Sequence, residues 1–265
     1  MALLSSAATI FGTEVETRTA EAIGQDYCLS LWLPPSYSTS GASYPVLFIL
    51  DAALWFGVAV STTLALIWGQ EVPEVILAGI SYPHHDHKDI GGNRDRDFTP
   101  TTVDSIAGSG GAAAFLTFLE TDVIPFVDAN YRTLPADRSI WGTSLGGLFV
   151  LYILLERSHL FQRYMATSPA LKWNLAQFVH RANDGSKMLV DRPTRLFMSI
   201  GSDEPRLERS NFDALTQAFL GRNDTNLTLQ FMTLDHETHF SQAARSYVTG
   251  VRAVFTQEVR ELDFA

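Results

Sequence analysis

The 265-residue chain predicts a three-layer α/β/α sandwich built on a mainly parallel central sheet and opened by an antiparallel N-terminal hairpin. Three observations lead there. Strand-like and helix-like segments alternate after an all-strand start, the mark of βαβ units laid into one parallel sheet. The run Tyr44-Pro45-Val46-Leu47-Phe48-Ile49-Leu50 is apolar and bounded by turn residues, as a strand buried on both faces requires. Finally, Gly142-Thr143-Ser144-Leu145-Gly146-Gly147 sets one serine among glycines where a hydrophobic strand gives way to a hydrophobic helix.

From Thr9 to Arg18 and from Gln25 to Leu33 the residues alternate well enough for two antiparallel strands, and Pro34-Pro35 ends the second because proline has no N–H for a ladder. Asp51-Ala52-Ala53 follows the carboxyl end of the Tyr44–Leu50 strand. A helix over Leu54–Trp68 and a strand over Val75–Ile80 complete a βαβ unit. From Ser81 to Gly110 the periodicity dissolves into His, Asp, Arg, Gly and Pro, which reads as a long loop over a site. Gly111 to Val127 carries apolar residues at helical spacing, and Pro125 should end or kink that helix. Arg138–Trp141 reads as the end of a buried strand and Leu148–Leu155 as a core helix. A strand at Arg163–Thr167 leads through Ser168-Pro169-Ala170-Leu171-Lys172-Trp173-Asn174 into a helical excursion to about Lys187. The strand Arg195–Ile200 ends in Gly201-Ser202-Asp203-Glu204-Pro205. A helix over Leu207–Leu220, a strand over Leu227–Leu234 and a helix over Gln242–Val259 finish the chain. No repeat or linker interrupts this order, so residues 1–265 are expected to form a single domain, with excursions at about 81–110 and 168–190 over the active site.

Hydrophobic residues make up 46% of the chain and charged residues 18%, and no segment reaches the roughly 18 unbroken apolar residues of a bilayer span. A formal net charge of -10 argues against a nucleic-acid surface and against binding to anionic membranes. Met1–Ala8 lacks the basic flank and long apolar run of a secretory signal, and the one cysteine, Cys28, precludes an internal disulfide. A cytoplasmic enzyme is expected, monomeric or homodimeric, acting on a small molecule.

In an open α/β sheet the ligand crevice lies off the carboxyl ends of the strands. Asp51, Ser144, Ser168, Asp203, Glu204 and the segment after Leu234 all fall there. Ser144 is read as a nucleophile held clear of the backbone by a sharp turn, with Gly142 and Gly146 required sterically. A serine hydroxyl needs a base, and the base an orienting acid. His236 and His239 both follow the last strand; His239 is preferred because a loop just before the last helix can project its imidazole over the elbow. Asp203 and Glu204 both qualify as the acid, and spacing does not separate them. The N–H groups of Leu145, at a helix start, and of Ala52, in the turn after the Tyr44–Leu50 strand, are the expected oxyanion donors. Arg94 and Arg96 either contact substrate or pair with Asp95, Asp97 or Asp104, and Trp173 is expected over the pocket. His84-His85-Asp86-His87 lacks the partners that would complete a zinc set and reads as a polar loop tip. Neither a metal nor a cofactor is required.

The chain resembles the siderophore-esterase and esterase-D-like branch of the α/β-hydrolases, the group that contains enterobactin-type trilactone esterases. The resemblance rests on Leu31-Trp32-Leu33-Pro34-Pro35-Ser36-Tyr37, Tyr44–Asp51, Arg94-Asp95-Arg96-Asp97-Phe98-Thr99-Pro100, the elbow followed by Gly147-Leu148-Phe149, Ser168-Pro169, and Gly201–Pro205. It implies an α/β-hydrolase fold and a serine esterase with Ser144 as nucleophile, His239 as base and Glu204 as acid, Asp203 being the alternative. The chain departs from the family pattern at Thr143, where a histidine is frequent, at Ala52, where a glycine is, and at Phe240, where a glycine is again favoured. Acyl transfer by the same residues and a non-catalytic binding protein on the same fold are the alternative readings. Covalent labelling of Ser144 separates the last from the other two.

Overall fold

The N-terminal hairpin consists of β1 (Thr13–Ala20) and β2 (Gln25–Trp32), antiparallel with Thr13 opposite Trp32. The computed structural model describes residues 10–83, 87–184, 189–222 and 224–255. The central run becomes β3 (Tyr44–Ile49), followed by helix α1 (Ala52–Trp68) and strand β4 (Ile76–Ser81), which lies parallel to β3 and antiparallel to β2. Then come β5 (Thr133–Thr143), α5 (Leu145–Glu156), β6 (Arg163–Thr167), β7 (Thr194–Gly201) and β8 (Leu227–Leu234), each strand parallel to its neighbours. The sheet order is β1-β2-β4-β3-β5-β6-β7-β8. This is the mainly parallel sheet with an antiparallel opening that the sequence predicts.

Side chains alternate between two cores, as the period of two in a strand dictates. Along β3, Val46 and Phe48 face one side, and Leu47 and Ile49 the other. The second side is covered by α1 and by α8 (Gln242–Phe255), where Trp141 is fully buried with its ring 4.6 Å from that of Tyr247. The first side is covered by α5, the region from α2 (His87–Phe98) through α4 (Ile124–Asn130), α6 (Leu175–Asn183) and α7 (Arg206–Leu220).

Two elements differ from expectation. Part of the stretch read as a loop from Ser81 to Gly110 is the helix α2. Its sequence, HKDIGGNRDRDF, has two adjacent glycines and no apolar repeat, so local propensity opposes the helix. Tertiary contacts hold it instead: Phe98 is buried against Phe115 and Phe149, with ring centroids 5.7 and 5.6 Å away. The helix expected from Gly111 to Val127 is α3 (Ala112–Phe118), a π turn over Leu119–Val123, and α4 with Pro125 in its first turn. Pro125 has no N–H to continue the ladder, and the Ile124 N–H reaches back to the Leu119 carbonyl. The remaining elements keep their expected places, and the elbow strand is longer than read, starting at Thr133. The His84-His85-Asp86 tip, the stretch around Lys187 and the last residues assigned to the C-terminal helix lie outside the described residues.

Candidate active site

Ser144 stands between β5 and α5 at φ 58° and ψ -120°, a conformation that costs a non-glycine residue about 1–3 kcal/mol. The turn persists because the backbone on both sides is locked: the Ser144 N–H donates to the Thr167 carbonyl at 3.0 Å, and the Leu148 N–H to the Ser144 carbonyl at 3.0 Å. Although it is the N-cap of α5, the Ser144 side chain does not cap the helix. Its Oγ lies 2.9 Å from Nε2 of His239 instead. A Cβ on Gly142 would meet the backbone C and O of Gly146 at 2.4 Å, so only glycine fits there. A Cβ on Gly146 has more room, its nearest neighbour being Asp51 Oδ2 at 3.3 Å. The second sterically required glycine is Gly147, where a Cβ would come 2.9 Å from the Thr167 carbonyl.

His239 lies on the loop between β8 and α8. That loop passes so close to the end of β7 that a Cβ on Gly201 would sit 2.1 Å from the Glu237 carbonyl. The other ring nitrogen of His239, Nδ1, is 2.8 Å from Glu204 Oε2. Glu204 is buried, and its second oxygen accepts from Ser168 Oγ at 2.5 Å and from the Gly201 N–H at 3.0 Å. Burial alone would push the Glu204 carboxyl up, but the hydrogen bonds from His239, Ser168 and Gly201 outweigh it and hold the group below its ordinary value. Asp203 is exposed, with its carboxylate accepting from Ser202 Oγ, and His236 is exposed at φ 61°. Of the alternatives the sequence left open, the structure thus brings Glu204 and His239 to Ser144 and leaves Asp203 and His236 at the surface.

Leu145 and Ala52 each occupy the first position of a helix, where a backbone N–H has no intrahelical acceptor. Asp51, just before Ala52, is buried in the left-handed region at φ 54°, and its carboxylate receives Arg94 Nε at 2.7 Å and Nη2 at 3.0 Å. An open cavity of about 320 Å³ meets Ser144, Leu145 and His239, with Arg94, Ala170, Lys172, Trp173, Pro205 and Glu208 as its other walls. Arg96 is not among them. Its guanidinium binds both oxygens of buried Asp97, at 2.7 and 3.0 Å, and the hydroxyl of Tyr27 at 3.2 Å, because the helical turn of α2 points it away from Arg94. A larger groove of about 530 Å³ among Glu14, Glu16, Tyr37, Phe126 and Tyr131 holds no nucleophile and base in contact, so the smaller cavity is the candidate site. Among the described residues, no group of three or more His, Cys, Asp or Glu is placed to hold a metal ion, and no helix is long and apolar enough to cross a membrane.

Sequence reasoning placed Ser168 on the rim without assigning it a partner, and passed over Gln242. The Ser168-Pro169 pair was a visible signal for the first. Nothing local marks Gln242, whose telling partner, Thr143, lies 99 residues away.

A nucleophile elbow at the centre of an α/β-hydrolase sheet, with a histidine in contact with its serine, defines a class: a serine hydrolase acting on carboxylic esters. The chain belongs to the family described as "Putative esterase", which matches residues 20–262. It is 30% identical over 259 residues to the ferri-bacillibactin esterase BesA of Bacillus subtilis (strain 168), covering 89% of this chain and 87% of that one. It is 29% identical over 193 residues to the siderophore triacetylfusarinine C esterase of Aspergillus fumigatus, covering 68% of this chain and 65% of the relative. Among solved structures, the BES protein from Bacillus cereus superposes with a TM-score of 0.85 at 24% identity, over 97% of this chain and 100% of that one. Small-molecule esters are the substrates of this class.

Proposed function

We propose that the protein hydrolyses carboxylic esters, siderophore lactones among them, through a covalent acyl-enzyme on Ser144. The contact of Ser144 Oγ with His239 Nε2, with Glu204 behind Nδ1, carries this reading. His239 removes the proton from Ser144 Oγ as that oxygen attacks the ester carbonyl, and Glu204 holds the tautomer with the proton on Nδ1 and stabilises the imidazolium. The carbonyl oxygen takes the negative charge and is met by the N–H groups of Leu145 and Ala52. His239 then returns the proton to the leaving alkoxide, which departs as the alcohol. A water, deprotonated in turn by His239, attacks the acyl carbonyl and frees the acid with Ser144 restored. Trp173, Arg94, Lys172 and Glu208 line the cavity that receives the acyl part. The siderophore assignment is supported by the ferri-bacillibactin and triacetylfusarinine C esterases among the relatives and by their extent of match. The lone Cys28 agrees with a cytoplasmic location.

The test is hydrolysis of a panel of p-nitrophenyl esters, a feruloyl ester and a catecholate trilactone, beside Ser144→Ala. Turnover by the wild type that is lost in Ser144→Ala is expected. Wild-type turnover surviving in Ser144→Ala would falsify the nucleophile assignment, and activity confined to simple esters would remove the siderophore.

A further inference from the structure

Gln242, the first residue of α8, is fully buried, which is unusual for a primary amide because burial costs free energy unless its polar atoms are all engaged. Here they are engaged in one direction only. Nε2 donates to Thr143 Oγ1 at 3.1 Å and to the backbone carbonyl of His239 at 3.3 Å, while Oε1 accepts from Ser246 Oγ. The His239 carbonyl can only accept, so the amide cannot be turned over. Ser246 Oγ in turn accepts from Ser199 Oγ on β7 at 2.8 Å, and both hydroxyls are fully buried. The chain of bonds therefore starts in the sheet, passes through α8, and ends on two points: the residue directly before the nucleophile and the backbone of the base.

We propose that Gln242 and Thr143 form a buried brace that sets the imidazole of His239 at hydrogen-bond distance from Ser144. Gln242 is thus a positioning residue, and Thr143 is its partner on the elbow. This rests on the reading of Ser144 and His239 as nucleophile and base. The physical case is that Ser144 and His239 belong to segments 95 residues apart in sequence, each held by its own turn. Glu204 fixes the His239 ring from behind and the Asp203 N–H holds the Glu237 carbonyl, but the side-chain bonds at His236, Thr238 and Ser241 are exposed, and none of these ties reaches the elbow. An amide that reaches both segments fixes their relative placement, and a misplacement of about 1 Å can cost about 100-fold in rate. An apolar residue would fill the same room without connecting them.

Thr143→Val keeps the shape of the side chain and removes only the hydroxyl. Its kcat is expected to fall about 10- to 100-fold with KM changed by no more than about twofold, and labelling by a fluorophosphonate to slow by the same factor. Thr143→Ser, which restores the hydroxyl, is expected to keep kcat within about threefold of wild type. The double variant Thr143→Val/Gln242→Leu should be no slower than Gln242→Leu alone, since both remove the same bond. Full wild-type kcat in Thr143→Val, a loss confined to KM, or losses that multiply in the double variant would each overturn the brace. If Gln242→Leu does not fold, the Thr143→Val and Thr143→Ser pair decides the matter. Failure of the underlying reading looks different: wild-type protein would not be labelled, or Ser144→Ala would stay active.

Discussion

Glu204→Gln exposes the logic of the site, because the surroundings of Glu204 dictate which way the new amide must point. One carboxylate oxygen accepts two hydrogen bonds, from Ser168 Oγ and from the Gly201 N–H, and the second faces His239 Nδ1. The Gly201 N–H can only donate, so the glutamine must place its carbonyl oxygen there and its NH2 toward His239. An NH2 at that position makes Nδ1 an acceptor, which moves the ring proton to Nε2, facing Ser144. A protonated Nε2 cannot take the serine proton. Replacing the carboxylate of a serine-protease triad by its amide lowers kcat by about 10⁴ for this tautomeric reason. We expect a loss of about 10³ to 10⁴ in kcat here, or about 4 to 5.5 kcal/mol at about 1.4 kcal/mol per decade. KM should barely change, because Glu204 is not a wall of the cavity. The assay is steady-state hydrolysis of a p-nitrophenyl ester at neutral pH, with circular dichroism as the check on folding. A folded Glu204→Gln protein whose kcat lies within about tenfold of wild type would refute the argument and leave Ser144 and His239 working without an acid.

Two further outcomes concern stability. Gly142→Ala forces a methyl to 2.4 Å from the backbone of Gly146, which should cost about 1–3 kcal/mol and lower Tm by roughly 2–4 °C for each kcal/mol. Gly41→Ala, with nothing within 4 Å, is the control, and equal melting temperatures for the two would contradict the steric account. Because the folded-state pKa of Glu204 lies below its unfolded value, its contribution to stability is complete above the unfolded carboxylate range, about pH 4.3, and is lost as pH falls through the lower folded value. Urea unfolding of wild type and Glu204→Gln should therefore give a stability difference that shrinks with acidification, and a difference constant across that range would show the group to be uncoupled from folding.

The elements that the sequence made legible are those written in short-range patterns. The apolar run of β3, Gly142 before Ser144 and the unbroken apolar run of α5 each follow from steric or burial demands acting within about ten residues. The gathering of Ser144, Glu204 and His239 at one place was legible too, since a parallel sheet delivers successive strand ends to one rim. The helix α2 was not, because Gly91 and Gly92 and its many charges argue against a helix locally, and its support comes from Asp51, Phe115 and Phe149 elsewhere in the chain. Arg94 and Arg96 are two residues apart and similar in sequence terms. Only the direction of the α2 turn gives Arg94 to the cavity and to Asp51, and Arg96 to Asp97 and Tyr27.

By itself, then, the sequence determined the class of fold, the strained serine turn and the set of residues from which a base and an acid had to be drawn. The tertiary structure brought Glu204 and His239, and neither Asp203 nor His236, to Ser144, turned Arg96 away, and buried Gln242 against Thr143. The physical reason is one of range. Steric fit and hydrophobic period act between neighbours and leave their mark in consecutive residues, whereas hydrogen bonds spanning 35, 95 and 99 residues depend on how the sheet and its helices pack.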